Sequence, residues 1–178
     1  RPTCCLATSS LRLLLVSLSL YLLLLPTMAP SLHVLLSGPA QLCFGLLMDS
    51  AILSRNVRVL NNPARRRVVA GVVRDHHCKL VCLQETKLDS ISNSIIVETL
   101  DPSFMDNFVF LPAVGTRGGI LIAASSDHIK VTPQPLLQGT FSVSALITDL
   151  CCNSSWLLTG VYGPQSDEDK LNFLNEIR

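Results

Sequence analysis

From Leu13 to Met48 the chain carries no Asp, Glu, Lys or Arg, and from Asp49 onward charges of both signs appear at ordinary density. This break constrains what the 178 residues can fold into, because an uncharged leader and a mixed-charge segment cannot share one surface chemistry. The overall 15% of charged residues, low beside a usual quarter, averages two kinds of sequence. Net charge is +1, so global electrostatics make no case for a nucleic-acid or membrane partner. The one local basic cluster is Arg65-Arg66-Arg67.

Within the uncharged part, Leu13 to Leu25 is an apolar core of signal-peptide length, and it is short for a membrane span of about 20 residues. Pro26 and Pro30 break any helix there, and Leu32 to Leu47 is interrupted by His33, Gly38, Pro39 and Gly45. Three readings fit: a signal peptide, a signal anchor that attaches the chain to a membrane through Leu13–Leu25, or foreign sequence joined to a domain that begins at Met48. The expected organisation is a leader over 1–47 and a domain over 48–178. Localisation follows the leader: nuclear or cytoplasmic if the chain begins at Met48, membrane or secretory if the leader is native. In the secreted case Asn153-Ser154-Ser155 is a glycosylation sequon.

The seven cysteines are odd in number, contain two adjacent pairs and include no C-x-x-C. That pattern suits a reduced intracellular protein better than a disulfide scaffold. His76 and His77 precede Cys78 and Cys82, but the spacing supplies no zinc ligand set.

In the second part, apolar periodicity predicts a strand over 51–57 and a helix over 64–75. Asn62 is the expected cap, Pro63 suits the first turn, and Val68, Val69, Val72 and Val73 oppose the three arginines. A strand over 80–83 completes a crossover unit. A helix over 90–100, strands over 107–111, 120–124 and 129–132, and a glycine turn over 115–119 come next. Then follow two long strands, 141–150 and 156–162, pairing as a hairpin. Val143, Ala145 and Ile147 alternate with Ser142, Ser144 and Thr148, which predicts one buried face. Ser166 caps a last helix whose apolar positions are Leu171, Phe173, Leu174 and Ile177. Strand–helix alternation followed by antiparallel pairing predicts an α+β sandwich and argues against a doubly wound sheet.

Three of these strands end in polar residues: Asn56, Glu85 and Tyr162. A lone Glu85 after Val81-Cys82-Leu83 reads as a solvated strand end. If the three strands are neighbours, an amide, a carboxylate and a phenol meet on one rim, a set suited to a hard cation and a phosphate.

The blocks N-V-R-x-L-N-N at Asn56 to Asn62, L-Q-E-T-K at Leu83 to Lys87, T-R-G-G-I-L at Thr116 to Leu121 and G-V-Y-G-P at Gly160 to Pro164 resemble the endonuclease/exonuclease/phosphatase family. They are most similar to the apurinic-endonuclease-like domains of plant LINE-type retrotransposons. The resemblance implies a four-layer α/β/β/α sandwich, of which 48–178 would be the N-terminal part. It implies metal-dependent hydrolysis of DNA phosphodiesters with Mg²⁺ or Mn²⁺. Glu85 matches the metal-binding glutamate, Asn56 the asparagine that supports the metal and phosphate site, and Tyr162 the tyrosine that bonds the scissile phosphate.

Departures from the pattern are Arg55 where the family has Trp and Val59 where it has Gly, a place where a β-branched side chain would strain a turn. The family's later Gly-Asp-Phe-Asn and Ser-Asp-His do not occur in these residues, and His33, His76, His77 and His128 stand in other contexts. The expectation is therefore a truncated endonuclease-like domain without activity. The alternative is a membrane-anchored or secreted binding module with no enzymatic role. Arg65 to Arg67 either contact phosphate or form a solvated helix face.

Overall fold

A computed structural model describes residues 13–16, 34–36, 41–46, 50–115, 117–164 and 166–177. The strands are β1 (Leu13–Val16), β2 (Val34–Leu36), β3 (Gln41–Leu46), β4 (Ser50–Asn56), β5 (Cys78–Gln84), β6 (Phe108–Val114), β7 (Arg117–Ala124), β8 (Ile129–Pro133), β9 (Ser142–Asp149) and β10 (Ser155–Val161). The helices are α1 (Pro63–Asp75), α2 (Asn93–Thr99) and α3 (Asp167–Glu176). One sheet runs β2-β3-β4-β5-β7-β6 and the other β1-β10-β9-β8. This is the expected mixed α+β sandwich of two packed sheets flanked by helices.

The expected crossover unit is present. Asn62 Oδ1 accepts from Ala64 N–H, Pro63 opens α1, and β4 and β5 lie side by side in parallel. Helix α1 turns Val69 and Val73 inward, as its period requires, but Val68 is 55% exposed. The predicted helix over 90–100 is shorter, with a single 3-10 turn at Pro102–Phe104 behind it. Asp101 caps that turn by accepting from Ser103 N–H. Pro112 sits in β6, an edge strand, where its missing N–H breaks no central ladder.

Apolar side chains form two layers. Leu80, Cys82, Ile120 and Ile122 face Val143, Ala145, Ile147 and Leu158 between the sheets. Leu53, Val81, Leu83 and Leu121, on the opposite face of the larger sheet, pack under Val69, Val73, Ile96 and Phe104. Both faces of β5 are thus buried, and its run reads as continuously apolar for that reason. Helix α3 covers the outer face of the smaller sheet through Phe173, which meets Phe141 and Val161. Leu171 and Leu174, expected in that apolar set, are 67% and 49% exposed. Ser142 and Ser144, expected on a solvated face, are buried instead: Ser142 donates to Glu176, and the Ser144 hydroxyl meets that of Thr159 at 2.8 Å.

Asn107 ties the two sheets. Its Nδ2 donates to the carbonyls of Ala124 (2.9 Å) and Ile129 (2.7 Å), and its Oδ1 accepts from Val131 N–H (2.9 Å). One buried amide thus closes the backbone at the turn where the chain leaves β7 for β8.

Of the leader, Leu13–Val16 pairs in parallel with β10, and Gln41–Leu46 pairs antiparallel with β4. The rest of Leu13–Leu25 and the boundary at Met48 lie outside the described residues. Among the described residues no helix is long and apolar enough to cross a membrane.

Burial pushes the Cys82 thiol up to about 12, partly offset by the side-chain hydrogen bond from Gln84. The unfolded thiol ionises near its ordinary value of 9.0, so the folded chain holds this proton more tightly. Its contribution to stability is complete below about pH 9 and is lost as pH rises toward 12. At pH 8 we expect iodoacetamide to label the exposed Cys151 and Cys152 but to spare Cys82 until urea unfolds the chain. Mass spectrometry of tryptic peptides 80–87 and 131–170 separates the two outcomes. Asn107→Ala should lower stability by about 3 kcal/mol in urea titrations, since it orphans two buried carbonyls and an amide.

Candidate functional site

The rim of the larger sheet is built by the ends of β4 and β5. Their parallel register sets Asn56 beside Gln84, so the residue after β5 emerges next to Asn56. Asn56 Nδ2 donates to Glu85 Oε1 at 2.8 Å, and Asn56 Oδ1 accepts from Arg58 N–H at 3.0 Å. The amide is therefore held at both ends and presents its N–H to the carboxylate. Both side chains are half-buried.

The segment carrying Glu85 is laced to its neighbours on both sides. Val57 N–H donates to Gln84 O and Leu60 N–H to Thr86 O. On the other side Thr86 N–H donates to Gly119 O, Lys87 N–H to Gly118 O, and Ala113 N–H to Leu88 O. With its flanking peptides fixed, Glu85 has little backbone freedom to lose on meeting a ligand.

This lacing demands unusual backbone. Arg58, Glu85 and Lys87 have φ of 60°, 54° and 56°, and Gly118 and Gly119 have 70° and 85°. Left-handed conformations in non-glycine residues cost about 1–2 kcal/mol each and persist only where surrounding contacts enforce them. The strain anticipated at Val59 is absent: the left-handed turn falls one residue earlier, at Arg58.

Tyr162 reaches the same rim from the smaller sheet. It follows β10, and its N–H donates to Phe141 O at 3.0 Å. Its ring lies against Gly118, where a Cβ would stand 2.8 Å from the Tyr162 hydroxyl. Gly118 O in turn accepts from Lys87 N–H, two residues past Glu85. The structure thus brings Asn56 and Glu85 into direct contact, and Gly118 touches both Tyr162 and Lys87, two residues past Glu85. Gly119 has the second close contact: a Cβ there would collide with Thr86 Oγ1 and stand 3.0 Å from Lys87 N. Only residues without a side chain allow Tyr162 and Thr86 to approach the backbone here this closely.

The Arg65–Arg67 cluster divides. Arg66 is structural: Nε donates to Leu60 O (2.7 Å), one terminal nitrogen pairs with Glu98 Oε2 (2.7 Å), and the other donates to Asn61 O (3.2 Å). Arg65 and Arg67 are exposed. His76 and His77 are exposed at the far end of α1, and among the described residues no group of three or more His, Cys, Asp or Glu converges on a metal-sized site. An open groove of about 670 Å³ lies near the same end, lined by Arg67, Arg74, His77, Lys79, Asp101 and Asp127 among others. Its basic and acidic side chains offset one another, and Glu85 is not among its walls.

Sequence reasoning singled out Asn56, Glu85 and Tyr162 and missed the roles of Phe141 and Glu176 behind Tyr162. A lone Phe after a glycine turn and a Glu ending a helix carry no local signal of contact over 35 residues of separation.

Gly119→Ala should destabilise the chain by at least about 2 kcal/mol, from the left-handed φ and the clash with Thr86 together. Gly71→Ala, inside α1 with open space around a new Cβ, should stabilise it by about 0.5–1 kcal/mol. Paired urea denaturations read both.

No family model and no curated protein matches the chain. Among solved structures it is similar to the AP endonuclease LMAP from Leishmania major. The identity is 16% and the TM-score 0.47, over 71% of this chain and 44% of that one. The chain thus spans less than half the length of that protein.

Proposed function

We propose that the Asn56–Glu85–Tyr162 rim is the metal- and phosphate-binding half of a DNA phosphodiesterase site. The domain would be of the endonuclease/exonuclease/phosphatase kind, like those carried by plant LINE-type retrotransposons. The observation that carries this reading is the 2.8 Å hydrogen bond from Asn56 Nδ2 to Glu85 Oε1 across adjacent parallel strand ends. It joins two of the four sequence blocks on which the family likeness rests.

The donor set fits a hard divalent cation. One oxygen of Glu85 is engaged by an amide N–H, and no hydrogen bond from the described residues engages Oε2. Mg²⁺ and Mn²⁺ prefer oxygen donors and need only one or two protein carboxylates, water and substrate phosphate completing the shell. Glu85 would hold the ion, and a bound ion would offset the negative charge gathering on the phosphate oxygens during hydrolysis.

The chain's own residues have distinct tasks. Asn56 fixes the rotation of the Glu85 carboxylate, since its Oδ1 is anchored on Arg58 N–H and its Nδ2 can point only one way. Tyr162 donates its phenolic hydrogen to a phosphate oxygen from the opposite sheet. Lys87 and Arg58, both at the rim, add positive charge along the path of a DNA backbone. No Asp–Asn pair to orient a nucleophilic water and no His beside the attacked phosphate occurs in the pattern of these 178 residues.

The test is Mn²⁺ titration of the full chain by calorimetry, followed by fluorescence anisotropy with an abasic duplex. We expect saturable Mn²⁺ binding that Glu85→Ala abolishes and Asn56→Ala weakens by about tenfold, and no strand cleavage in Mg²⁺. Equal Mn²⁺ binding by the wild type and Glu85→Ala would sink the metal assignment. Cleavage lost on Glu85→Ala would overturn the expectation of inactivity while keeping the site.

A further inference from the structure

Glu176 is the last residue of α3, where a carboxylate opposes the helix dipole. Its side chain is committed elsewhere. Oε2 accepts from Thr140 N–H at 2.8 Å, and Oε1 accepts from Phe141 N–H at 3.0 Å and from the Ser142 hydroxyl at 2.6 Å. Gly139 leaves the space for this: a Cβ there would overlap the Glu176 carboxylate. A single carboxylate therefore holds the entry to β9 against the end of α3.

The residue held in the middle is Phe141. Its carbonyl accepts Tyr162 N–H at 3.0 Å. Its ring packs on Tyr162 with centroids 5.6 Å apart, and edge-on against Phe173 of α3 at 5.9 Å and 88°. Tyr162 is thereby confined between Phe141 and Gly118, which lies beside the Glu85 segment.

We propose that Glu176 and Phe141 are positioning residues for Tyr162, so that α3 sets where the phenol stands relative to Glu85. This rests on the reading of Tyr162 as a phosphate contact given above. Aromatic pairs of this geometry add attraction beyond area burial, which favours one rotamer of the phenol. Charge-assisted hydrogen bonds from two backbone amides and a hydroxyl fix Phe141 more firmly than packing alone.

The experiment uses the full chain labelled with 3-fluorotyrosine. It contains two tyrosines, Tyr21 and Tyr162, and Tyr162→Phe assigns the signals. Glu176→Gln keeps the size but sets an NH₂ group against N–H donors. It should shift or broaden the Tyr162 fluorine resonance and weaken Mn²⁺-dependent binding of an abasic duplex by about tenfold. Phe141→Leu should move the same resonance. Lys170→Ala, which removes only the exposed Lys170–Asp167 pair on α3, should leave it in place. Ser142→Ala, which deletes one hydrogen bond, gives a smaller shift in the same direction and serves if Glu176→Gln does not fold. An unmoved resonance in folded Glu176→Gln or in Ser142→Ala overturns the proposal, as does an equal shift in Lys170→Ala. Unchanged duplex binding by Tyr162→Phe would instead overturn the phosphate role of Tyr162, leaving the fluorine coupling to be judged separately.

Discussion

The parallel pairing of β4 with β5 is the constraint on which the rest depends. Two parallel neighbours end at the same edge of a sheet, and their register decides which residues leave it together. Here Asn56 pairs with Gln84, so Glu85 departs beside the Asn56 amide and receives its hydrogen bond. A shift of one residue would turn Cys82 toward the helices and Val81 between the sheets, and would carry Glu85 out of reach of Asn56. The burial of both faces of β5 forbids that slip, because each layer of the core is filled by alternate residues of this strand.

A second constraint is the glycine pair opposite. Gly118 and Gly119 take left-handed backbone and accept the N–H groups of Lys87 and Thr86. They leave room for the Tyr162 ring on one side and the Thr86 hydroxyl on the other. The strain in Arg58, Glu85 and Lys87 is the local cost of closing this rim, sustained by hydrogen bonds to both neighbouring strands. The hydrogen bonds on both sides over-determine the rim and hold the Glu85 backbone in one conformation.

Polar burial elsewhere follows the same logic. Asn107 satisfies two carbonyls and an amide where β7 gives way to β8, and the Ser144–Thr159 hydroxyl pair lies on the outer face of the smaller sheet. These groups explain why simple alternation misjudged β9. The face read as solvated is covered near Phe141 by α3, and its serines are buried because they have hydrogen-bonding partners.

The sequence by itself determined most of the elements and the identity of the polar strand ends. Apolar periodicity, the Asn62-Pro63 cap, the Ser166 cap and the glycine turns act over a few residues, and those signals survive in one dimension. It also marked Asn56, Glu85 and Tyr162 as polar ends of apolar runs. Only the tertiary structure decided that Asn56 faces Glu85, that Gly118 links Tyr162 to the Glu85 segment, that Arg66 is held by Leu60, Asn61 and Glu98, and that Val68, Leu171 and Leu174 are exposed. The reason is physical: sheet register and helix rotation are set by contacts between residues far apart in the chain, and a local pattern holds no record of which partner will stand opposite.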